Sequence, residues 1–561
     1  MMNSKIGSRV PTILLAGVAA VFSTSAAVAE VKPLGCAELA DFTVQASAIG
    51  LPTKGAKIVK ATEMAPSGTT PRTVGAFCRV NGEIAPVDPA APPIKFEVNL
   101  PKEWNGKALM YGGGGMNGTI LSTGGVIRLQ PTEMRIPLGR GWATFGSDSG
   151  HSGTSSDGSF AMNDEALRNY AFDGLIKTRD VAGAVIAAHY GKAPDKVYFH
   201  GSSNGGKEAL GLIQRRPDAI DGAMVFWPAT TIGAGNLQFV RLARAFMEPG
   251  AALSIGKRQT FLKATLDACD MLDGVKDGLV ADARGCEKIF DPKTATVDGK
   301  PLRCPSGKDE GEFCLSDVQI RTIEKLATPI TFEKPLASGT THYPGYYLGG
   351  LDLGTRITDD LSRGVTIQGL GIVAPALPAT AGMSFEHIFG DQFVRYFVTR
   401  NPGGNLMDFD PEKPGDRLDR MVELGGLLDM PKTDLSAFRK KGGKILLIHG
   451  LSDQILPAKA SEEYYEAVKA TMGAEAVGSF LKFYEVAGTA HSGFGIAFSP
   501  TWDVLGALDA WVVDGKAPVA PVVKDIYGVP GRTRPLCEYP AWPKYQGKGD
   551  PNDAANFACT H

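Results

Sequence analysis

The sequence predicts an α/β fold in which a mostly parallel sheet flanked by helices is interrupted, late in the chain, by one long insertion. Three observations predict it. Between Lys95 and Trp227, strand-like runs alternate with helical ones, the pattern of a parallel sheet with crossover connections. From about Asp218 to Lys432 that rhythm fades into Pro/Gly breaks and clustered cysteines, and it resumes at Gly443–His449 and Leu481–Val486. Finally, Gly201-Ser202-Ser203-Asn204-Gly205 fits G-x-S-x-G between a strand-like run and a helical one, the strand–turn–helix of the α/β-hydrolase nucleophile elbow.

In chain order, the first element is a leader. Lys5 and Arg9 form a positive region, Val10 to Val21 is apolar but short for a bilayer, and Ala27-Val28-Ala29 is a small-x-small cleavage site. Residues 1–29 are expected to be a secretory signal peptide, which places the mature protein in the periplasm or outside the cell. Nothing later in the chain reads as transmembrane, so no stable membrane association is expected. The net charge of −2, without a long basic run, argues against nucleic acid as a partner. A hydrophobic fraction of 43% and a charged fraction of 21% are those of an ordinary globular protein.

The mature catalytic domain is expected over 30–217 and 433–561, with 218–432 as a lid over its site. Lys107–Tyr111 reads as a strand running into the glycine loop Gly112–Gly118, and Trp142–Phe145 as a strand running into Ser147–His151. Tyr170 to Tyr190 carries helical periodicity, followed by the strand Lys196–His200 and the elbow. At a tight corner of this kind the serine is held exposed at strained dihedrals. The helix that follows aims backbone N–H groups at any nearby oxyanion. Ser203 is therefore the candidate nucleophile. The oxyanion donors are expected at Asn204, the residue after it, and in the glycine loop at Gly114 and Gly115.

The same stretch also satisfies G-x-x-x-x-G-K, ending at Lys207. A phosphate loop would next need Ser or Thr, and the chain has Glu208, whose charge would repel phosphate. Nucleotide binding is thus a minor alternative. A catalytically silent ligand-binding protein on the same fold is another.

Two later strands carry the partners. Lys444–His449 leads to a turn bearing Asp453, and Leu481–Val486 leads to a Gly-flanked loop bearing His491. The order Ser, Asp, His is that of α/β-hydrolases. Asp453 would fix the tautomer of His491, and His491 would act as general base. His151, His200 and His449 also lie near strand ends, in positions better suited to structural hydrogen bonds, with His151 able to line the site. Trp227, just past the elbow, is a candidate wall of the acyl pocket.

The insertion contains Asp270-Met-Leu-Asp273-Gly-Val-Lys-Asp277-Gly. Carboxylates of Asp270, Asp273 and Asp277, with the carbonyls of Val275 and Leu279, form a hard-oxygen set suited to calcium. The other reading is a solvated acidic turn. Eight cysteines allow about 105 pairings, and an exported chain favours disulfides. Sequence locality suggests Cys36–Cys78, Cys269–Cys286, Cys304–Cys314 and Cys537–Cys559.

With these motifs in place, the chain resembles the tannase and feruloyl esterase family. The resemblance rests on GGGGMNG, SDSGH, YFHGSSNGGKEAL, RRPDAIDG, CDMLDGVKDG, HGLSD and GTAHSGFG, spread over most of the mature chain. It implies an α/β-hydrolase core with a large lid, a structural calcium ion in the acidic loop, and hydrolysis of small aromatic esters of feruloyl, galloyl or terephthalate type. It also implies a disulfide between the residues directly before the nucleophile and directly after the catalytic histidine. Here those positions hold Ser202 and Ser492, whose α-carbons are expected within about 7 Å.

Overall fold

The computed structural model describes residues 32–69, 72–120, 123–354, 369–491, 493 and 497–561. The expected signal peptide and Ser492 lie outside these residues, so neither the cleavage site nor the Ser202–Ser492 pair is described.

Ten strands form the central sheet: β1 Thr43–Val44, β2 Ala56–Met64, β3 Phe77–Ile84, β4 Ile94–Pro101, β5 Lys107–Tyr111, β6 Ala143–Ser147, β7 Lys196–Ser202, β8 Gly222–Phe226, β9 Lys444–Gly450 and β10 Leu481–Val486. Their spatial order is β1-β2-β3-β4-β6-β5-β7-β8-β9-β10. The first four strands run as an antiparallel meander, and β4 meets β6 antiparallel. From β6 to β10 every pairing is parallel. Successive residues of a strand face opposite sides, and the parallel strands are apolar on both. Met110, Phe199, Val225, Leu447 and Phe483 join one core cluster. Their neighbours Leu109, Tyr198, Met224, Leu446 and Tyr484 join the other. Helices Gly174–Tyr190, Asn204–Arg215 and Ala458–Met472 cover the first face through residues such as Val181, Leu210 and Val468. Helix Val504–Asp514 covers the second through Leu505, Leu508 and Trp511. This is an α/β-hydrolase architecture, with a sheet covered on both faces as parallel strands require.

The boundary expected for the insertion needs correction. β8 lies inside the span 218–432, yet it pairs with β7 on one side and β9 on the other. Its five residues are all buried. A strand this apolar belongs in the middle of the sheet, so the inserted segment leaves the core only after Phe226. That segment builds one cluster of its own, around Phe261, Leu302 and Ile323, and shares another, around Phe239, Tyr343 and Phe393, with Met116, Phe160, Tyr170, Ile455 and Leu456 of the core. Four disulfides are present: Cys36–Cys78, Cys269–Cys286, Cys304–Cys314 and Cys537–Cys559. No helix among the described residues is long and apolar enough to cross a membrane.

Candidate active site

The parallel strands share one direction, so their C-terminal ends share one edge of the sheet. Ser203 follows β7 there, Asp453 follows β9 and His491 follows β10. Ser203 has φ 59° and ψ −124°, a backbone conformation costly for any residue with a side chain. Flanking glycines make the corner possible. A Cβ on Gly201 would stand 2.0 Å from the Gly205 carbonyl oxygen, and one on Gly205 would stand 2.6 Å from that of Gly113. The corner is tied into the sheet by the Ser203 N–H, which donates to the Phe226 carbonyl at 3.0 Å.

Asp453 is buried, and its Oδ2 lies 2.8 Å from His491 Nδ1. Its Oδ1 accepts from the Ile455 and Leu456 N–H groups, each at 2.9 Å. Burial alone would raise this carboxyl, but the His491 charge and hydrogen bonds from His449 and His491 outweigh it and hold Asp453 below its ordinary value. The acid is therefore ionised wherever the protein is folded at neutral pH. His449 is a structural histidine, with Nε2 3.3 Å from Asp453 Oδ2 and Nδ1 2.8 Å from Ser461 Oγ. His200 accepts the Arg128 N–H at 2.9 Å through Nε2. His151 holds the Met116 carbonyl at 2.7 Å and stacks on Phe160. Burial lowers both of these imidazoles, to about 3 and about 4, so both are neutral supports of the loops around the site.

The glycine loop is suspended from the helix that follows Ser203. Glu208 Oε2 accepts the Gly113 N–H at 2.7 Å, and its Oε1 accepts Nδ2 of Asn117 at 2.7 Å and of Asn204 at 3.2 Å. Tyr170 donates to the Gly115 carbonyl at 3.3 Å. These ties bring Gly115 into the same cleft as Ser203 and Asn204, whereas Gly114 is not among the residues lining it. The role of Glu208 was not foreseen. Its signal was present, since Lys207 and Glu208 stand together just after the elbow, on a helix that is buried along nearly all its length, and buried charges need partners.

The rest of that cleft comes from distant segments: Ile232 and Phe239 on helix Ile232–Phe246, Phe385 and Phe389 on helix Phe385–Gln392, and Ile455 and Leu456 after β9. Phe385 and Phe389 stack with centroids 3.8 Å apart, and the slot leaves about 10 Å³ for solvent, space for about one water. Trp227 does not line it. The indole is buried and packs 6.1 Å from the His491 ring, bracing the histidine loop instead. Ser202, where the family resemblance implies cysteine, accepts a hydrogen bond from Arg128 Nε at 3.4 Å.

The chain matches the model of the Tannase and feruloyl esterase family over residues 78–560. It belongs to that family. An uncharacterised esterase of Agrobacterium fabrum is 38% identical over 93% of this chain and 92% of its own length. The mono(2-hydroxyethyl) terephthalate hydrolase of Piscinibacter sakaiensis is 30% identical over 89% of this chain and 87% of its own. Among solved structures, feruloyl esterase B from Aspergillus oryzae superposes with a TM-score of 0.73 at 23% identity, covering 91% of this chain and 98% of that one, which is a likeness of fold. The enzyme is a carboxylic ester hydrolase.

The acidic loop of this hydrolase lies in the insertion, in and after the short 3-10 helix Asp270–Asp273. Asp270 accepts from the N–H groups of Asp277 and Gly278, Asp273 from that of Val275, and Asp277 from that of Leu279. Asp277 also meets Arg534. Burial, then the charges of Asp277 and Asp270, pushes Asp273 up to about 7. Among the described residues no three acidic, His or Cys side chains converge as a metal group. The loop nonetheless concentrates oxygen donors and like charge in a way that suits a hard cation.

Proposed function

We propose that the chain is a secreted or periplasmic serine esterase that cleaves aromatic acyl esters through Ser203, His491 and Asp453. The observation carrying this reading is the 2.8 Å contact of His491 Nδ1 with buried Asp453, on the same sheet edge as the strained Ser203. With Nδ1–H donated to the carboxylate, Nε2 is left as the base. His491 takes the Ser203 proton as Oγ bonds to the ester carbon, and the carbonyl oxygen becomes an oxyanion. The N–H groups of Asn204 and of Gly114 or Gly115 face that charge, with Gly115 favoured by its place in the cleft. Collapse expels the alcohol, which receives the proton from His491. Water, deprotonated by the same imidazole, then attacks the acyl-enzyme, and the carboxylic acid leaves with Ser203 restored.

The inserted segment acts as a lid, supplying Phe239, Phe385 and Phe389 to the acyl slot. The activities for which its family and relatives are named, together with these aromatic rings, support an aromatic acyl group. Four disulfides fit an oxidising compartment. Calcium would be held by Asp270, Asp273 and Asp277 with the Val275 and Leu279 carbonyls, and would supply charge neutralisation to the lid with no part in bond breaking. A silent binding protein would gain nothing from the strain at Ser203, because such strain persists where it serves chemistry. The test is hydrolysis of 4-nitrophenyl and aryl-acid esters together with labelling by a fluorophosphonate. Turnover and labelling that both vanish in Ser203→Ala support the reading, and an unlabelled, inactive wild type refutes it.

A further inference from the structure

The slot beside Ser203 is walled by hydrocarbon and aromatic rings, yet it contains two buried carboxamides, Asn204 and Asn236. In both, the NH₂ end is committed. Asn236 Nδ2 donates to the Ile232 carbonyl at 2.9 Å, one helical turn back. Asn204 Nδ2 donates to Glu208 Oε1 and to Asn117 Oδ1. Turning either amide over would set oxygen against oxygen, so the orientation is fixed by the partners. The other end of each, Asn236 Oδ1 and Asn204 Oδ1, is buried with no hydrogen-bond partner. A buried acceptor left unmade costs about 1–3 kcal/mol, and such groups in native proteins call for a reason. Both residues line the slot, the unsatisfied end of each is its acceptor, and no Lys or Arg is among the lining residues.

We infer that Asn236 determines acyl specificity by accepting a hydrogen bond from a hydroxyl on the aromatic ring of the substrate's acid, so that hydroxylated aromatic acyl groups are preferred over unsubstituted, methoxylated or carboxylated ones. The inference rests on the reading of Ser203 as the nucleophile of this cleft. Asn204 directly follows Ser203, so it lies at the reacting end of the slot. Asn236 lies on a different helix, Ile232–Phe246, beside the rings of Phe239, Phe385 and Phe389, where the acyl ring would seat as those phenylalanines turn aside. A neutral O–H satisfies the Asn236 oxygen. A methyl ether cannot donate, and a carboxylate brings a charge that this apolar slot leaves unpaired. A site with a buried polar group made for a hydroxyl discriminates more sharply than an apolar one, because the analogue leaves that group orphaned.

The experiment compares kcat/KM for methyl 4-hydroxybenzoate, methyl benzoate, methyl 4-methoxybenzoate and monomethyl terephthalate, and for the corresponding 4-hydroxy-, unsubstituted and 4-methoxycinnamates. In at least one series the wild type should favour the hydroxylated ester about tenfold or more over its unsubstituted and methoxylated analogues, with the terephthalate poorest. Asn236→Leu, close in size and without the acceptor, should bring the hydroxy-to-unsubstituted ratio close to one. A wild-type ratio near one in both series overturns the inference while leaving the esterase reading intact, and so does an Asn236→Leu enzyme that keeps the wild-type ratio. Efficient turnover of monomethyl terephthalate overturns it as well. A wild type that cleaves no ester and takes no fluorophosphonate at Ser203 removes both. The wild-type panel decides the matter even if the variant does not fold.

Discussion

Replacing Gly205 by alanine tests how closely the nucleophile helix and the glycine loop are fitted. The new Cβ would stand 2.6 Å from the Gly113 carbonyl oxygen and 3.2 Å from the Gly112 carbonyl carbon. Ordinary contact begins near 3.4 Å, so the two segments must part by about 0.8 Å. Neither yields easily: helix Asn204–Arg215 is buried along nearly all its length, and the loop hangs from Glu208 by a 2.7 Å bond. Overpacking of this kind costs roughly 1–3 kcal/mol of stability. The cost to catalysis should be larger. Asn204 and Gly115 belong to the two segments that the gap separates, so spreading it would move one proposed oxyanion donor away from the other, and displacement near 1 Å costs about 100-fold in rate. Gly205→Ala should therefore lower kcat by about 10- to 100-fold with KM changed less than about threefold, because the new Cβ meets the Gly112–Gly113 backbone and none of the phenylalanines that wall the slot. The assay is steady-state hydrolysis of a 4-nitrophenyl ester, with the fluorophosphonate labelling rate and thermal melting measured on the same samples. Gly478→Ala, whose Cβ would meet nothing within 4 Å, controls for the substitution itself. A Gly205→Ala enzyme with wild-type kcat and an unshifted melting temperature would refute the reasoning.

Ser203→Ala and His491→Ala should each remove turnover, by about 10⁴-fold or more, while circular dichroism stays native; wild-type kcat in either variant would sink the assignment. Chelation should lower the melting temperature and added calcium restore it, since a ligand bound only by the folded state stabilises it by mass action. An unchanged melt, with no metal in elemental analysis, would count against the site. Asp429 gives a pH signature, because burial pushes this carboxyl up to about 7. Its folded pKa exceeds its unfolded one, so its contribution is complete below about pH 4 and is lost as pH rises through about 7. Melting temperature should therefore fall between about pH 4 and 7, and Asp429→Asn should flatten part of that fall; an identical slope in the variant would show that other groups are responsible.

The elements from which the proposed site is built were readable because each is local. A glycine corner after a strand, and an acid and a histidine after two later strands, announce themselves within about ten residues each, and parallel strands then deliver them to one edge. Disulfide pairing was readable for the same reason, as every bridge joins neighbouring cysteines. The acyl slot was not readable. Ile232, Phe385 and Ile455 are separated by long stretches of chain, and nothing in any one segment says that it faces Ser203. The i, i+4 spacing of Phe385 and Phe389 signalled stacking, but without its location. Trp227 misled through proximity in sequence: a residue just past the sheet turns under the histidine loop rather than into the slot. The lid boundary at 218 fell too early because it was set at the first weakening of the strand-helix rhythm, across a run, Gly222–Phe226, that reads as a strand and sits in the middle of the sheet.

The contacts of the inserted segment with the end of the chain bear on how a substrate gets in. The segment leaves the sheet after Phe226 and returns at Lys444. Away from those two crossings it is clasped again: Arg284 reaches Glu485, Glu462 and the Pro540 carbonyl, and the Asp277 carbonyl accepts from Arg532. A panel hung at two points swings, and one pinned at a third, off their line, does not. Phe385 and Phe389, stacked where they line the slot beside Ser203, are then the side chains whose rotation would widen it, and an acyl ring would have to part them to enter. Evolution of a new substrate range would accordingly proceed by exchanging a few slot residues, leaving the architecture around them undisturbed.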